Sequence, residues 1–377
     1  MLPAGSLGLK MEFDRIAERI TKLRTNISNQ SLDAFVLFVH ENQNSESCCY
    51  ISGFKGSSAV LLIDQKRTLL ISDGRYKKQA EEQSPFEFVL QSKSMEKDAL
   101  RIISESNYRS VGFEAEKISH YLYKKYLAKH PIRWDDVSFL IPSLRRTKDT
   151  CEVAAIVKAG EIAYEAYTAV IQESHAEMTE REFSSLLLYR IKQMGGEKGW
   201  THDDFIVVSG ERGSLPHGTA TDKRFERGNI VTVDFGVTID GYMCDITRNF
   251  CIGKPTQKAE EINNLLSYAH IQAAKQLAPS VSGKKIDSVA RKIITDKGYG
   301  KQFAHGLGHG LGLEVHESPR LSPLSKDVLA VGDVITIEPG IYIEGWGGMR
   351  IEDDYLITTE GGVCLTRNYD HALKIIE

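Results

Sequence analysis

Residues 229–250, NIVTVDFGVTIDGYMCDITRNF, constrain the fold more tightly than any other stretch of the chain. Asp240-Gly241 lies between two runs rich in β-branched residues, and such a dipeptide favours a two-residue hairpin turn because both central positions tolerate positive φ. With those residues as the turn, Ile239 pairs with Tyr242 and the register of the ribbon follows. Asp234 then falls opposite Thr247, and Asp245 opposite Gly236. Side chains alternate faces, so Asp234 and Asp245 share one face as diagonal neighbours about 7–8 Å apart. Cys244 points the other way. Asp234 lies inside Ile-Val-Thr-Val-Asp-Phe, a run apolar enough to be buried. A bare carboxylate there costs several kcal/mol or takes up a proton. The competing reading is a pair of ordinary aspartates on a solvated face, and this segment alone divides the two evenly.

The same oddity recurs downstream. Glu338 ends the apolar run Val-Ile-Thr-Ile, and Glu352 sits in Met-Arg-Ile-Glu-Asp-Asp ahead of Tyr355-Leu356-Ile357. Alternation puts Arg350, Glu352 and Asp354 on one face and Ile351 on the other. Between these acids lies FAHGLGHGLGLEVHE, residues 303–317, which holds His305, His309 and His316, three of the chain's 11 histidines. A lone histidine is usually structural, but three in a glycine-rich stretch near buried acids point to a site. The spacing of His305 and His309 also fits a zinc-binding helix; the glycines argue against a helix here. Four carboxylates balance two divalent cations, and one neutral imidazole completes an oxygen-rich donor set. Such a set suits manganese (favoured here), cobalt or zinc better than copper or an iron–sulfur cluster. A pair of cations about 3.5–4 Å apart lowers the pKa of water towards ~7 and makes hydroxide available as a nucleophile.

Around this region the texture of the chain changes once. Up to about residue 145, helix and strand signals alternate: Phe13, Ile16, Ala17, Ile20 and Leu23 fall at helical spacing, and short apolar runs follow at Ala34–Phe38, Ala59–Ile63, Thr68–Ile71 and Phe86–Leu90. This reads as a mixed α/β domain over residues 1–145, with Pro142 and Ser143 breaking the pattern. From 146 to 377 the order is helix, helix, strands, twice over. The helices are expected at Cys151–Ser174, from Thr179 (a capping box with Glu182), at Ala259–Leu277 and at Ile286–Asp296. That order predicts an internally duplicated α+β domain, although no literal repeat is visible.

Bulk properties exclude several classes. A net charge of -4 with no basic run gives no electrostatic case for nucleic acid. No segment approaches the ~20 apolar residues of a membrane-spanning helix. The start, MLPAGSLGLKMEFDR, lacks the charged-then-apolar form of a secretory signal, and its first ten residues read either as an expression leftover or as a short extension before Met11. Six cysteines, two of them adjacent, do not form a disulfide framework, so a cytoplasmic protein is expected.

Taken together, VTVDFG, CDITR, HGLGHGLGLEVHE, ITIEPG and RIEDD resemble, in content and order, the motifs of the pita-bread metallopeptidases. This group holds methionine aminopeptidases, Xaa-Pro aminopeptidases and Xaa-Pro dipeptidases. The likeness is strong over residues 146–377. It implies metal ligands at Asp234, Asp245, His309, Glu338 and Glu352. Glu338 would also act as general acid and base, and His316 would stabilise the tetrahedral intermediate or assist proton transfer. His217 and His305 match histidines of the substrate site, and Tyr342 and Arg350 match positions supporting the metal cluster. A loop histidine beside Pro216 is a fair structural competitor for His217.

The segment YISGFKGSSAVLLIDQKRTLLISDGRYKKQA resembles the creatinase-like N-terminal domain of Xaa-Pro aminopeptidases, including Gly56-Ser57-Ser58 and Asp73-Gly74-Arg75-Tyr76. In that group the domain packs over the active site or joins subunits, which implies a homodimer or higher assembly. The expected activity is hydrolysis of an N-terminal Xaa-Pro bond in peptides with proline second, by a hydroxide bridging two divalent ions. A Xaa-Pro dipeptidase is the near alternative. A metal-free creatinase-like amidinohydrolase and a non-catalytic binding module share the fold, but the complete ligand set speaks against both.

Overall fold

A computed structural model describes residues 4–41, 43–200, 205–366 and 370–377, with side chains from Glu12 onward. The chain divides into two compact units, Met1–Arg145 and Arg146–Glu377. Among the described residues no helix is long and apolar enough to cross a membrane.

The first unit opens with helix α1 (Ala4–Asn29), which runs through the expected extension, and buries Ile16, Ile20, Leu23 and Ile27 along one stripe. The elements after it are β1 (Ala34–Val39), α2 (Ser45–Ser52), β2 (Ala59–Asp64), β3 (Thr68–Ser72), α3 (Lys77–Gln83), β4 (Glu87–Leu90) and α4 (Met95–Glu105). β5 (Ser110–Phe113), the single turn α5 (His120–Leu122), β6 (Arg133–Asp136) and α6 (Leu140–Arg146) complete it. The six strands form one sheet in the order β4-β3-β2-β1-β5-β6. β1–β3 pair antiparallel, whereas β4, β5 and β6 join in parallel, so the unit is mixed α/β. Pro142 does not break the chain as expected: it sits in the first turn of α6, where a missing N–H leaves no helical bond unmade.

In the second unit α7 (Thr150–Glu173) and α8 (Glu180–Gln193) precede a sheet built from β7 (Ile206–Ser209), β8 (Ile230–Phe235) and β11 (Ile246–Ile252), with the two short strands β9 (Thr238–Ile239) and β10 (Tyr242–Met243) forming the ribbon's tip. Both helices start at full capping boxes, Asp149 with Glu152 and Thr179 with Glu182. α9 (Gln257–Ala274) and α10 (Gly283–Asp296) then precede a second sheet. It contains β12 (Gly308–Gly310), β13 (Glu317–Leu321), β14 (Val334–Ile337), β17 (Asp353–Thr358) and β18 (Gly361–Cys364) in the order β13-β12-β14-β17-β18. β15 (Gly340–Ile343) pairs with β16 (Gly347–Arg350), and β19 (Lys374–Ile376) lies parallel beside β11. Each half has its own core. Phe183, Phe205, Phe225, Phe235 and Phe250 fill the first, while Ile262, Leu266, Ile286, Ile335 and Ile357 belong to the second. Helix pair followed by sheet therefore occurs twice, and the two sheets meet where Thr247 bridges Glu352.

Candidate metal centre

The hairpin holds the register that its turn dictates. Ile239 pairs with Tyr242, Phe235 with Ile246 and Asp234 with Thr247. Asp240 and Gly241 take φ of 52° and 84°, the paired positive values this turn type requires. Cys244 lies in the first hydrophobic core with Phe235 and Val237, so Asp234, Asp245 and Thr247 are left on the opposite face.

From the second half, the strand β14 delivers Glu338 and the approach to β17 delivers Glu352. The Glu338 amide donates to the carbonyl of Leu307 (2.8 Å), and the Glu352 amide to that of Thr247 (3.3 Å). His309 sits on β12, a strand rather than a helix, as its glycines suggest. A Cβ at Gly308 would stand 2.0 Å from the Thr336 carbonyl oxygen, so only glycine lets β12 press this closely on β14. The His309 amide donates to Thr336 Oγ1 (3.1 Å), and Nδ1 lies 3.0 Å from the Gly310 carbonyl. A carbonyl partner fixes the proton on Nδ1 and turns Nε2 towards the acids. Nε2 is 3.2 Å from Glu338 Oε1 and 3.8 Å from Asp245 Oδ2.

Ligand atoms of Asp245, His309 and Glu352 lie within 4.8 Å of one another. Asp234, Asp245, His309 and Glu352 are buried, at 6%, 4%, 5% and 2% exposure. Asp234 Oδ1 and Asp245 Oδ1 are buried without a hydrogen-bond partner. Burial, then Glu352, Asp234 and the other acids, push Asp245 well above the usual carboxylate range. Burial, then Glu338 and Asp234, do the same to Glu352, and burial also raises Asp234 despite Arg350. For Glu338 burial acts upward too, but the bond and charge of His309, with His305 and Arg350, outweigh it and bring it down to about 2. Hard oxygen donors, one imidazole lone pair, orphaned oxygens and crowded negative charge together fit divalent cations.

A polar layer orients these groups. Arg350 bonds Asp234 through Nη2, donates from Nε to Thr247 Oγ1 (3.0 Å) and from Nη1 to Tyr342 Oη (2.6 Å). Thr247 Oγ1 donates in turn to Glu352 Oε2 (2.6 Å), and Thr336 Oγ1 to Glu338 Oε1 (3.2 Å). Tyr342 Oη also meets His305 Nε2 at 3.0 Å, and burial keeps the phenol protonated, up to about 12. Arg291, paired with Asp287, donates to the carbonyls of Phe303 and His305, and so fixes the chain that carries His305. His316 stands with its ring 4.4 Å from that of His309. Partial burial, His309 and Arg320 lower its pKa to about 4. His217 is exposed, and Arg350 Nη1 holds the neighbouring Pro216 carbonyl at 3.3 Å.

All ten residues singled out in the sequence therefore fall around one cluster. The reading missed Thr247 and Thr336, whose hydroxyls carry no sequence signal beyond lying next to an acid in a strand. A second group, the buried His270 and Asp353 with the half-buried His371, was likewise not visible in the sequence. Asp353 accepts from Arg248 Nη2 (2.6 Å) and Thr366 Oγ1 (2.8 Å), and lies 2.8 Å from His371 Nε2. Its carboxylate is satisfied by the protein, and burial notwithstanding, Arg248 and His371 hold it below the usual range. Asp354, expected to share a face with Glu352, accepts the Asp245 amide at 3.0 Å.

Comparison with known proteins follows this division of the chain. The profile of metallopeptidase family M24 matches residues 154–359, and that of the creatinase/prolidase N-terminal domain residues 19–147. The Xaa-Pro dipeptidase of Pyrococcus horikoshii is 37% identical over 359 residues, which is 94% of this chain and 98% of that protein. Among solved structures, the X-Pro aminopeptidase of Thermotoga maritima superposes with a TM-score of 0.89 at 36% identity, covering 95% of this chain and 99% of that one. The Xaa-Pro dipeptidase of Bacillus anthracis superposes with a TM-score of 0.90 at 34% identity, covering 96% and 100%.

Proposed function

This chain belongs to metallopeptidase family M24, a pita-bread hydrolase domain behind a creatinase/prolidase N-terminal domain, and from that premise we propose that it is a Xaa-Pro aminopeptidase. The observation that carries the reading is the convergence of Asp234, Asp245, His309, Glu338 and Glu352 on one crowded, oxygen-lined pocket. We assign these five to hold two divalent ions, manganese ahead of cobalt or zinc. Bound there, such ions supply Lewis-acid polarisation of the scissile carbonyl and acidify water towards a pKa of ~7.

The side chains supply the rest. Glu338, ionised at neutral pH, takes the proton from the attacking water and returns it to the departing nitrogen. That nitrogen belongs to proline. It has no N–H for a peptidase to grip, and it leaves as a secondary amine that needs the proton. His316 is neutral at pH 7, so it donates a hydrogen bond, not a full charge, to the oxyanion of the tetrahedral intermediate. Arg350 and Thr247 hold Asp234 and Glu352 in place, and Tyr342 links Arg350 to His305. His217 and His305 bound the substrate side.

His217 and His316 are both exposed, so the cluster is reached from solvent on that side. The likeness to the X-Pro aminopeptidase of Thermotoga maritima supports an aminopeptidase. A Xaa-Pro dipeptidase is the second reading, favoured by the 37% identity to the Pyrococcus horikoshii protein of that name. Turnover of Xaa-Pro dipeptides and Xaa-Pro-Xaa tripeptides, with manganese, cobalt or zinc added, decides between them. Cleavage of both supports the aminopeptidase; cleavage of dipeptides alone overturns it. Full activity after exhaustive chelation would instead return a metal-free amidinohydrolase. A cytoplasmic homodimer or larger homo-oligomer goes with the same reading, and all six cysteines being free supports a reducing compartment.

A further inference from the structure

We propose that the buried carboxylate of Glu317, paired with Lys148, clamps the loop that sets the position of His316, which makes Glu317 a positioning residue; the inference rests on the role given to His316 above. Glu317 follows His316 directly in the chain, yet its carboxylate turns inward. Oε1 accepts from the amides of Leu313 (3.0 Å) and Glu314 (3.1 Å), and Oε2 from Lys148 Nζ (2.9 Å). The side chains of Lys148 and Glu317 are 1% and 7% exposed. The carboxylate thus closes the chain from 313 to 317 into a loop that carries His316 directly before its closing residue.

Both partners are themselves anchored. Lys148 Nζ also donates to the Arg146 carbonyl (3.1 Å), and its amide to the Gly332 carbonyl (2.8 Å). At the other end of the loop, the Gly312 carbonyl accepts from the Met243 amide (2.9 Å), on the ribbon that leads to Asp245. Gly312 lies against the ion pair: a Cβ there would stand 2.9 Å from both Glu317 oxygens and from Lys148 Cε. The loop is therefore fixed at one side to the metal ribbon and at the other to a buried cation. His316 is left facing His309, ring to ring at 4.4 Å, although its own side chain is exposed.

A buried ion pair contributes little net stability, and apolar residues of similar volume often replace one without loss. Stability alone therefore gives no reason for this pair. A carboxylate that spans two amides beside a working histidine does, because a displacement of about 1 Å at such a group lowers turnover on the order of 10²-fold.

The test separates geometry from fold. Lys148→Met with Glu317→Leu removes the pair and the acceptor of both amides. It is expected to lower kcat on a Xaa-Pro substrate by about 10²-fold, with KM and metal content unchanged. Lys148→Met with Glu317→Gln keeps an acceptor for the amides, and kcat is expected within about threefold of the parent. In a His316→Ala background the first pair of substitutions adds no further loss; full additivity overturns the clamp. Should the Leu variant fail to fold, Glu317→Asp keeps Lys148 paired while withdrawing the carboxylate by one methylene, and unchanged kcat there overturns the clamp equally. Ring-labelled His316 gives a readout that does not depend on turnover. Its Cε1 chemical shift moves in the Leu or Asp variant and not in the Gln variant. If His316→Ala turns over like the parent, the catalytic role of His316 falls while the ring shift still decides the clamp.

Discussion

In the first unit Asp33, Asp64 and Asp98 each accept hydrogen bonds from the chain around them, whereas in the second Asp234, Asp245 and Glu352 turn towards one another. Asp64 takes the amides of Lys66 and Arg67 (both 2.6 Å), the Arg67 guanidinium (2.9 Å) and the Tyr108 hydroxyl. Asp33 takes the amides of Arg109 (2.7 Å) and Ser110 (2.9 Å), and Asp98 those of Ser92 and Lys93. Burial would raise all three, but these donors outweigh it and hold each below the usual carboxylate range. For Asp245 and Glu352 burial acts the same way, and their nearest charges are mostly other acids, so the shift goes upward. What separates the two sets is therefore not depth but what faces the charge. Asp353 makes the point one residue away: next to Glu352 in sequence, it turns to Arg248, Thr366 and His371. An acid whose donors outweigh its burial is part of the fold, whereas acids left facing one another, with Arg350 and Thr247 as their few donors, fit a cation.

The largest consequence follows from removing one of the unsatisfied acids. Asp245→Ala is expected to lose bound metal and with it turnover, by about 10³-fold or more given the several kcal/mol that Lewis-acid chemistry supplies. His316→Ala should lose about 10²-fold in kcat while keeping its metal, since it offers a hydrogen bond and no metal site. Elemental analysis beside steady-state kinetics separates the two. A metal-free His316 variant would place that histidine among the ligands and break the distinction.

How much of this the sequence reveals depends on how local each cause is. The hairpin register was legible in full, because Asp240-Gly241 fixes a turn and alternation carries the faces back to Asp234 and Asp245. The capping box at Thr179 was equally local. Glu338, Glu352 and His309 were visible as acids and a histidine in the wrong surroundings, but their meeting point was not; the family likeness supplied it. β5 and β6 escaped because Ser-Val-Gly-Phe and Arg-Trp-Asp-Asp are too short and too mixed to show a period. The ion pair of Lys148 with Glu317 spans 169 residues, and the Arg350–Asp234 pair spans 116. No spacing rule reaches that far, so satisfied acids could not be told from unsatisfied ones by sequence alone.

Acidity offers a second way to sharpen the contrast. Asp245 and Glu352 have folded pKa values above their unfolded ones, so in metal-free protein the folded state holds more protons and stability falls as pH rises above about 4. Asp33, Asp64 and Asp98 have lowered values, so their contribution is complete at neutral pH and is lost as pH falls through and below about 4. Metal reverses the first trend, because it binds only the ionised acids and stabilises by about 4 kcal/mol at a thousandfold excess over its Kd. The gap in unfolding temperature between loaded and chelated protein should therefore narrow from pH 8 to pH 5.5, on the scale set by this linkage. His270, which burial keeps neutral down to about 3, contributes alike to both forms and drops out of the difference. Scanning calorimetry at the two pH values reads the gap directly. A gap independent of pH would mean that the five groups do not exchange protons for metal.

The smallest effect is also the most discriminating, because one substitution should act with opposite sign in the two units. Asp64→Asn replaces an oxygen by an amide nitrogen that faces donors from Lys66, Arg67 and Tyr108, and it discards the charge that Arg67 meets. About 1–3 kcal/mol of stability should be lost, with metal content and kinetics unchanged. Asp245→Asn, made in chelated protein at pH 8, removes a charge from a pocket where Glu352, Asp234 and Asp354 all oppose it and where Oδ1 has no donor to lose. There the change should raise the unfolding temperature, even as it destroys metal binding. Replacing a buried charge by a neutral isostere stabilises only where the protein never balanced that charge. Destabilisation by Asp245→Asn in metal-free protein would show that Asp245 is held by the fold as Asp64 is, and the division between the two sets of acids would be lost.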